Sequence, residues 1–193
     1  MRTWGKKSHH AAMRQLDSPH HNARPDGVNI DLIVFHAISL PPGEFGMDDV
    51  EALFTDQLDV AAHASFAGLN GLHVSAHFVV DRHGVITQFV PIVRRAWHAG
   101  ESEWEGRADC NDYSIGIEII GDEAHPFTNA QYREAARLCR VLMEAYPGIN
   151  AERIVGHVDI APGRKWDPGK LWDWGHFHRS LAHIQRLDLE LRQ

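Results

Sequence analysis

The sequence is poor in cysteine and has no long apolar run. Cys110 and Cys139 are the only cysteines among 193 residues, and they form no Cys-x-x-Cys pair. Two isolated thiols are typical of a protein in a reducing compartment, where we expect both to stay free. No stretch reaches the roughly 18 to 20 apolar residues that a membrane span requires. We therefore expect neither a disulfide framework nor a membrane partner.

Positive charge and an export signal are also lacking. The formal net charge is -7, and long-range repulsion of this kind disfavours nucleic acid or another polyanion as the main partner. Residues 1–10 carry charge but are not followed by the apolar stretch of a signal peptide. We expect a cytoplasmic protein that recognises a small molecule.

The overall composition is that of one ordinary globular domain. A chain of this length can bury roughly 70% of the surface that its unfolded form exposes. Hydrophobic residues make up 44% and charged residues 23% of the chain, with no sign of disorder or repeats. The fifteen histidines make any single histidine a weak functional indicator.

The pattern of apolar residues predicts strands interleaved with helices. We expect an irregular lead-in over 1–28 and one domain over 29–193. The run 30–36 is typical of a strand covered on both faces, and Asp81 to Gly84 separates two strands of a hairpin. Thr128 and Gln131 form a possible capping box. The predicted strands are 30–36, 73–80, 85–90, 113–120 and 153–157, the predicted helices 49–58, 128–146 and 177–191, and the predicted loops 94–112 and 158–174. This order indicates a single α/β domain with a mixed sheet flanked by helices.

Chemically capable residues follow or interrupt these strands. His36 ends a buried strand, and Glu118 interrupts an apolar one, where a carboxylate is costly unless it is paired or used. His157 closes another strand, and Lys165 and Asp167 follow it in a loop. Ends of adjacent strands can converge on one site.

Two imidazoles and one carboxylate are sufficient to hold zinc with a fourth position open to water. The spacing does not establish this, because His36 and His157 are far apart in the chain and no His-Glu-x-x-His signature is present. A solvent-facing or core role remains open for each histidine at this point.

Several longer strings are more specific. They are FHAISLPPGEFG (35–46), VSAH (74–77), RAWHAG (95–100), CNDYSIGIE (110–118) and GHVDIAPGRKWDPG (156–169). In order and spacing they resemble the AmpD-type 1,6-anhydro-N-acetylmuramoyl-L-alanine amidases, over about residues 18–177. The resemblance implies a fold like that of these amidases and of peptidoglycan-recognition proteins.

The resemblance also implies roles for five residues. His36, His157 and Asp167 occupy zinc-ligand positions for one Zn²⁺, Glu118 that of the catalytic acid/base and Lys165 that of its positively charged partner. The implied reaction is hydrolysis of the amide between the lactyl group of (anhydro-)N-acetylmuramic acid and L-alanine, in peptidoglycan recycling. Zinc would polarise the carbonyl and activate water. Glu118 would transfer the proton, and Lys165 would stabilise the oxyanion.

Substrate contacts are less specific. Trp97 and His98 could line the cleft, although an aromatic residue in such a loop is as often a packing anchor. Arg107 could meet a peptide carboxylate or remain a solvated charge. Ala37 stands where such enzymes usually carry Asn, which bears on substrate preference. His77 we interpret as structural or as a support for the ligands.

Three functional hypotheses follow. The first is a monomeric amidase that acts on anhydromuropeptides. The second is a peptidoglycan-recognition module that binds without cutting, although such modules typically lack part of the metal set. The third is a lysin that acts on intact cell wall.

Overall fold

The computed structural model describes residues 13–190, which form one α/β unit around a six-stranded mixed sheet. Its strands are β1 (Arg14–Gln15), β3 (Leu32–Ile38), β4 (Phe78–Val80), β5 (Ile86–Gln88), β9 (Ser114–Ile120) and β10 (Ile154–Gly156). Their order across the sheet is β1-β5-β4-β9-β3-β10. β3 runs parallel to both β9 and β10, and β4 runs parallel to β9 but antiparallel to β5. The predicted fold class is confirmed.

Smaller strands and the helices complete the described chain. β2 (His21–Ala23) pairs with β6 (Arg94–Ala96), and β7 (Glu103–Trp104) with β8 (Arg107–Ala108). The α-helices are α1 (Asp48–Phe54), α2 (Asn129–Ala145), α3 (His157–Ile160) and α4 (Trp174–Glu190), with 3-10 turns at Ala64–Leu69, Cys110–Asp112 and Ala151–Arg153. Within residues 13–190, no helix is both long and apolar enough to cross a membrane.

Side chains of the two longest strands alternate between the two faces of the sheet. Phe35 and Ile117 point to the face covered by α2 and α4, where they join the largest apolar cluster. Because successive strand residues face opposite ways, the neighbouring His36 and Glu118 point to the other face. Alternate residues of β3 and β9 therefore pack in the core, and the residues between them place functional groups on the opposite face of the sheet.

Helix α2 begins as the sequence predicts. Thr128 Oγ1 accepts a hydrogen bond from the Gln131 N–H, and the Gln131 side chain accepts one from the Thr128 N–H, which completes the capping box. The Gln131 amide also donates to the Ile120 carbonyl at 2.7 Å. The start of α2 is thereby joined to the end of β9.

Some sequence-based boundaries are wrong. Parts of the lead-in pair with other segments as β1 and β2, and residues 1–12 lie outside the described chain. The predicted loop 94–112 contains three short strands and a 3-10 turn, and the predicted loop 158–174 opens with most of α3. Residues 73–77, predicted as the start of a strand, lie outside the regular strand β4. Strands β1, β2 and β6 form by pairing with distant segments, which local periodicity does not report. The hairpin of β4 and β5 is confirmed, and both cysteines are free and buried.

Candidate metal centre and cleft

A cleft of about 670 Å³ opens beside the carboxyl ends of the parallel strands β3, β9 and β10. Its lining includes all five residues to which the sequence assigns metal binding or catalysis, namely His36, Glu118, His157, Lys165 and Asp167. Strand order explains this convergence, because parallel neighbours end at the same edge of the sheet. His36 lies in β3, Glu118 in β9, and His157 directly after β10.

Three potential ligand atoms meet at one point in this cleft. His36 Nδ1 lies 2.9 Å from His157 Nδ1 and 3.1 Å from Asp167 Oδ2, and the last two atoms are 3.0 Å apart. All three residues are buried. Zinc bonds of about 2.0–2.1 Å in tetrahedral geometry separate ligand atoms by about 3.3 Å. The observed triangle is therefore slightly tighter than the one zinc requires.

The hydrogen-bond network determines which nitrogen of His36 is free. The Ser114 hydroxyl donates to the Cys110 carbonyl, so its contact with His98 Nε2 at 3.3 Å requires that nitrogen to be the donor. Burial lowers the pKa of His98 well below its usual value, so the ring is neutral and its Nδ1 is an acceptor. That atom lies 2.9 Å from His36 Nε2, which must donate. Burial also lowers the pKa of His36 to about 4, which leaves its Nδ1 without a proton.

His157 is oriented in the same way. Its Nε2 lies 3.0 Å from the Ala99 carbonyl oxygen and donates to it, which leaves Nδ1 to face His36 and Asp167 as a potential ligand atom. Asp159 supports the turn from β10 into α3 by accepting the Gly156 N–H at 2.7 Å. Two nitrogen lone pairs and a carboxylate oxygen thus face one another. Such an arrangement of acceptors suits a cation, and the donor set is one that zinc accepts.

Glu118 lies beside this cluster without a hydrogen-bond partner for one oxygen. It is in register with His36 on the neighbouring strand. Its Oε2 is buried and contacts no donor within the described chain. Burial, and then repulsion from Asp167, raises the pKa of Glu118 well above its usual value, whereas Lys165 opposes the shift. A carboxyl group with a raised pKa can both accept and release a proton near neutral pH.

The loop after α3 brings Lys165 and Asp167 to the cleft from different depths. The Val158 N–H donates to the Asp167 carbonyl at 2.9 Å, and the Lys165 N–H donates to the Ala161 carbonyl at 3.0 Å. Asp167 is consequently buried beside the histidines, while Lys165 and Trp166 remain exposed at the cleft wall. An exposed lysine at the cleft wall can reach negative charge that develops on a substrate.

The four candidate substrate contacts are not all brought together. Ala37 and Trp97 line the cleft, and the Trp97 indole donates to Asn22 at 2.7 Å. His98 is also in the lining but is buried and bonded to His36. Arg107 is not part of the lining: it pairs with Asp31 at 2.6 Å and lies over the Tyr113 ring. The structure therefore does not support a cleft contact for Arg107.

Other contributors to the site are not evident from the sequence. Asn111 Oδ1 accepts the N–H groups of His98 and Ala99, and Arg164 donates to the carbonyls of Ala99 and Glu101. His77 accepts the Gly116 N–H at 3.0 Å, in line with a structural role. Asn111 lies within a string that carries the family resemblance, but nothing in the string indicates which backbone it binds. Arg164 likewise lies within such a string, 156–169, which does not indicate that its side chain binds the carbonyls of Ala99 and Glu101.

The fold and the cleft together define a class: a single-domain α/β protein with three side chains that could hold a metal ion and an adjacent buried carboxyl group. Residues 26–170 match the N-acetylmuramoyl-L-alanine amidase family. The chain belongs to this family.

Individual relatives agree with this assignment. The chain is 50% identical to the 1,6-anhydro-N-acetylmuramyl-L-alanine amidase AmpD of Escherichia coli (strain K12), over 85% of this chain and 89% of that protein. It resembles a crystal structure of AmpD with a TM-score of 0.85 and 48% identity, covering 89% of this chain and 95% of that one. A complex of AmiD from E. coli with anhydro-N-acetylmuramic acid-L-Ala-D-gamma-Glu-L-Lys matches with a TM-score of 0.59 and 30% identity, covering 81% and 60%.

Proposed function

We propose that this chain is a zinc-dependent amidase that hydrolyses the bond between the lactyl group of 1,6-anhydro-N-acetylmuramic acid and L-alanine. The convergence of His36, His157 and Asp167 beside Glu118 is the observation that carries the proposal. The substrate class is supported by the activity named for AmpD and by the muropeptide bound in the AmiD complex. The proposed amidase domain, 29–193, is joined in the fold by the preceding strands β1 and β2 and acts as a monomer on wall-turnover products in the cytoplasm.

His36, His157 and Asp167 hold one Zn²⁺ in this proposal. When bound, zinc supplies a Lewis acid for the scissile carbonyl and lowers the pKa of water in the cleft. Hydrogen bonds from the neighbouring groups position the ligands. His98 Nδ1 accepts from His36 Nε2–H, and the Ala99 carbonyl accepts from His157 Nε2–H. These bonds keep both Nδ1 lone pairs directed at the same point.

Glu118 is the proposed acid/base. Its buried, unpartnered Oε2 takes a proton from the attacking water and then gives it to the leaving alanine nitrogen. The raised pKa of Glu118 favours this transfer to the nitrogen, because a carboxyl group with an ordinary pKa would not keep the proton at neutral pH.

Lys165 and the cleft wall complete the site. The exposed ammonium of Lys165 stabilises negative charge on the carbonyl oxygen during attack. The aromatic ring of Trp97 lines the cleft where it can contact the sugar, and Ala37 contributes a small apolar side chain to the lining. Neither residue takes part in the chemistry.

The test measures release of free peptide from anhydro-N-acetylmuramic acid-L-Ala-D-γ-Glu-L-Lys, together with zinc content. We expect Glu118→Gln to retain zinc and lose about 100-fold or more in kcat, and Asp167→Asn to lose the zinc ion held beside Glu118 together with activity. Exposed Glu123→Gln, at the rim of the same cleft, should behave as the unaltered chain. Tight binding of the muropeptide without peptide release would instead support a recognition module, and equal rates on intact cell wall would support a lysin.

A further inference from the structure

A second group of metal-capable side chains lies outside the proposed catalytic centre. His20, Asp56 and His73 each direct one ligand atom to a common point. His20 Nε2 lies 3.1 Å from His73 Nδ1 and 3.6 Å from Asp56 Oδ1, and the last two atoms are 3.5 Å apart. These separations bracket the distance of about 3.3 Å expected between ligand atoms of tetrahedral zinc.

The orientation of His20 is set by its surroundings. This side chain is only 6% exposed, and its Nδ1 lies 2.9 Å from the Val74 carbonyl oxygen. Because a carbonyl can only accept, Nδ1 carries a proton, and Nε2 is the ring nitrogen left to act as an acceptor or a metal ligand. That nitrogen points towards His73 and Asp56, whose side chains are 53% and 62% exposed. Two imidazoles and one carboxylate are therefore available to bind a metal ion, and water could fill the fourth coordination position.

Two serines tie together the backbone segments that carry the three residues. The Ser18 hydroxyl donates to the Phe54 carbonyl at the end of α1 and accepts the His20 N–H at 3.1 Å. The Ser75 hydroxyl donates to the His20 carbonyl. Asp56 adopts φ +63° just after α1, which turns the chain there. These contacts hold the backbone segments that carry the three residues next to one another.

We propose that His20, Asp56 and His73 form a second site for a divalent transition metal such as zinc. Two nitrogen donors favour such an ion over Mg²⁺ or Ca²⁺, which prefer oxygen ligands. Without metal, His73 Nδ1–H donates to His20 Nε2. On binding, that proton moves to Nε2 of the His73 ring, and Nδ1 becomes a ligand. The site does not require the proposed amidase activity.

The second site adjoins the cleft. The His20 ring is nearly parallel to that of Trp97, at 9° and 6.0 Å between centroids, and Trp97 forms part of the cleft wall. A metal held by His20 would therefore fix the ring against which Trp97 packs.

Zinc binding to the untagged, chelator-treated full chain tests the proposal. The number of zinc ions per chain is measured by equilibrium dialysis. We expect His73→Ala to bind one zinc ion fewer than the unaltered chain under identical conditions, and Asp56→Asn to bind the second zinc more weakly. Asn tolerates the positive φ of position 56, and both altered side chains are exposed, so folding should be kept, as circular dichroism would verify.

His83→Ala is the matched control, because His83 is an exposed histidine in the β4–β5 turn. It should bind as many zinc ions as the unaltered chain. Equal zinc binding by the unaltered chain and His73→Ala would overturn the proposal. Loss of one zinc in His36→Ala as well as in His73→Ala would show that the two sites are separate, and this outcome is independent of whether the chain cleaves muropeptide.

Discussion

At the scale of single residues, the candidate centre depends on a line of hydrogen bonds that ends outside the cleft. The Ser114 hydroxyl donates a hydrogen bond to the Cys110 carbonyl and accepts one from His98 Nε2–H. His98 Nδ1 therefore accepts from His36 Nε2–H, which leaves Nδ1 of His36 without a proton. Hydrogen-bond partners of this kind fix the tautomer and the orientation of a metal-ligating ring. The buried His98 is therefore better described as a positioning residue than as a substrate contact.

Removing the Ser114 hydroxyl should weaken zinc binding. In Ser114→Ala the His98 Nε2–H loses its acceptor, so the His36 ring is free to take the wrong tautomer. We expect zinc affinity, measured by chelator competition, to fall about 10- to 100-fold, with activity partly recovered at high zinc. The exposed Ser65→Ala serves as control. Unchanged affinity in Ser114→Ala would contradict this account of the tautomer.

Glu118 should make the metal-free protein less stable as pH rises. Because burial raises its pKa in the folded state, the unfolded chain ionises first, above about pH 4.3. Ionisation then favours unfolding, so stability is highest below that pH and falls as pH increases towards the folded-state pKa. In chelator-treated protein, we expect Glu118→Gln to gain unfolding free energy over the unaltered chain between about pH 4 and 7.

Urea unfolding at a series of pH values measures this gain. Exposed Glu123→Gln should follow the unaltered chain at each pH. A stability difference for Glu118→Gln that stays constant from acid to neutral pH would show that Glu118 does not have a raised pKa.

At the scale of elements, β9 contributes alternate residues to the apolar core and to the candidate site. Ile115, Ile117 and Ile119 face α2 and α4, whereas Gly116 and Glu118 face the cleft side. A Cβ at position 116 would lie 2.4 Å from His98 Cγ. Glycine is therefore required here by close packing against an imidazole, even though glycine weakens a strand.

Gly116→Ala should damage the site through this contact. The methyl group would displace the His98 ring and with it the bond to His36. We expect a loss of about 1–3 kcal/mol in unfolding free energy and weaker zinc binding, measured by urea unfolding and chelator competition. Gly46→Ala is the control, because a Cβ there meets nothing within 4 Å. Full zinc affinity in Gly116→Ala would refute the proposed link between this strand and the metal centre.

At the scale of the whole molecule, the candidate centre joins three separate parts of the chain. His36 comes from β3, His157 from α3 and Asp167 from the following loop. An ion that binds only the folded arrangement stabilises it by mass action, by about 2.7 kcal/mol when the free ion is at 100 times its dissociation constant.

Chelation should therefore lower the thermal unfolding temperature. The measurement uses the His73→Ala variant, which lacks the proposed second site. In this variant we expect a chelator to lower Tm measurably. Adding Asp167→Asn should abolish most of the Tm difference between zinc-loaded and chelated samples. An equal chelator effect with and without Asp167 would show that zinc stabilises the protein from elsewhere.

Much of the architecture is predictable because it depends on local pattern. The apolar runs of β3 and β9, the Asp81–Gly84 turn and the Thr128–Gln131 cap each follow from neighbouring residues. The short strands β2 and β6 do not, because each forms only by pairing with a segment some 70 positions away.

The sequence by itself determined the α/β class, the main elements and, through its resemblance to a known family, the five residues proposed for catalysis and zinc. Tertiary structure alone decided that His98 supports His36, that Arg107 pairs with Asp31, and that His20, Asp56 and His73 meet. The physical reason is that local periodicity reports which face of an element is buried. Which side chains meet across segments depends on strand order and on the hydrogen bonds that fix the loops.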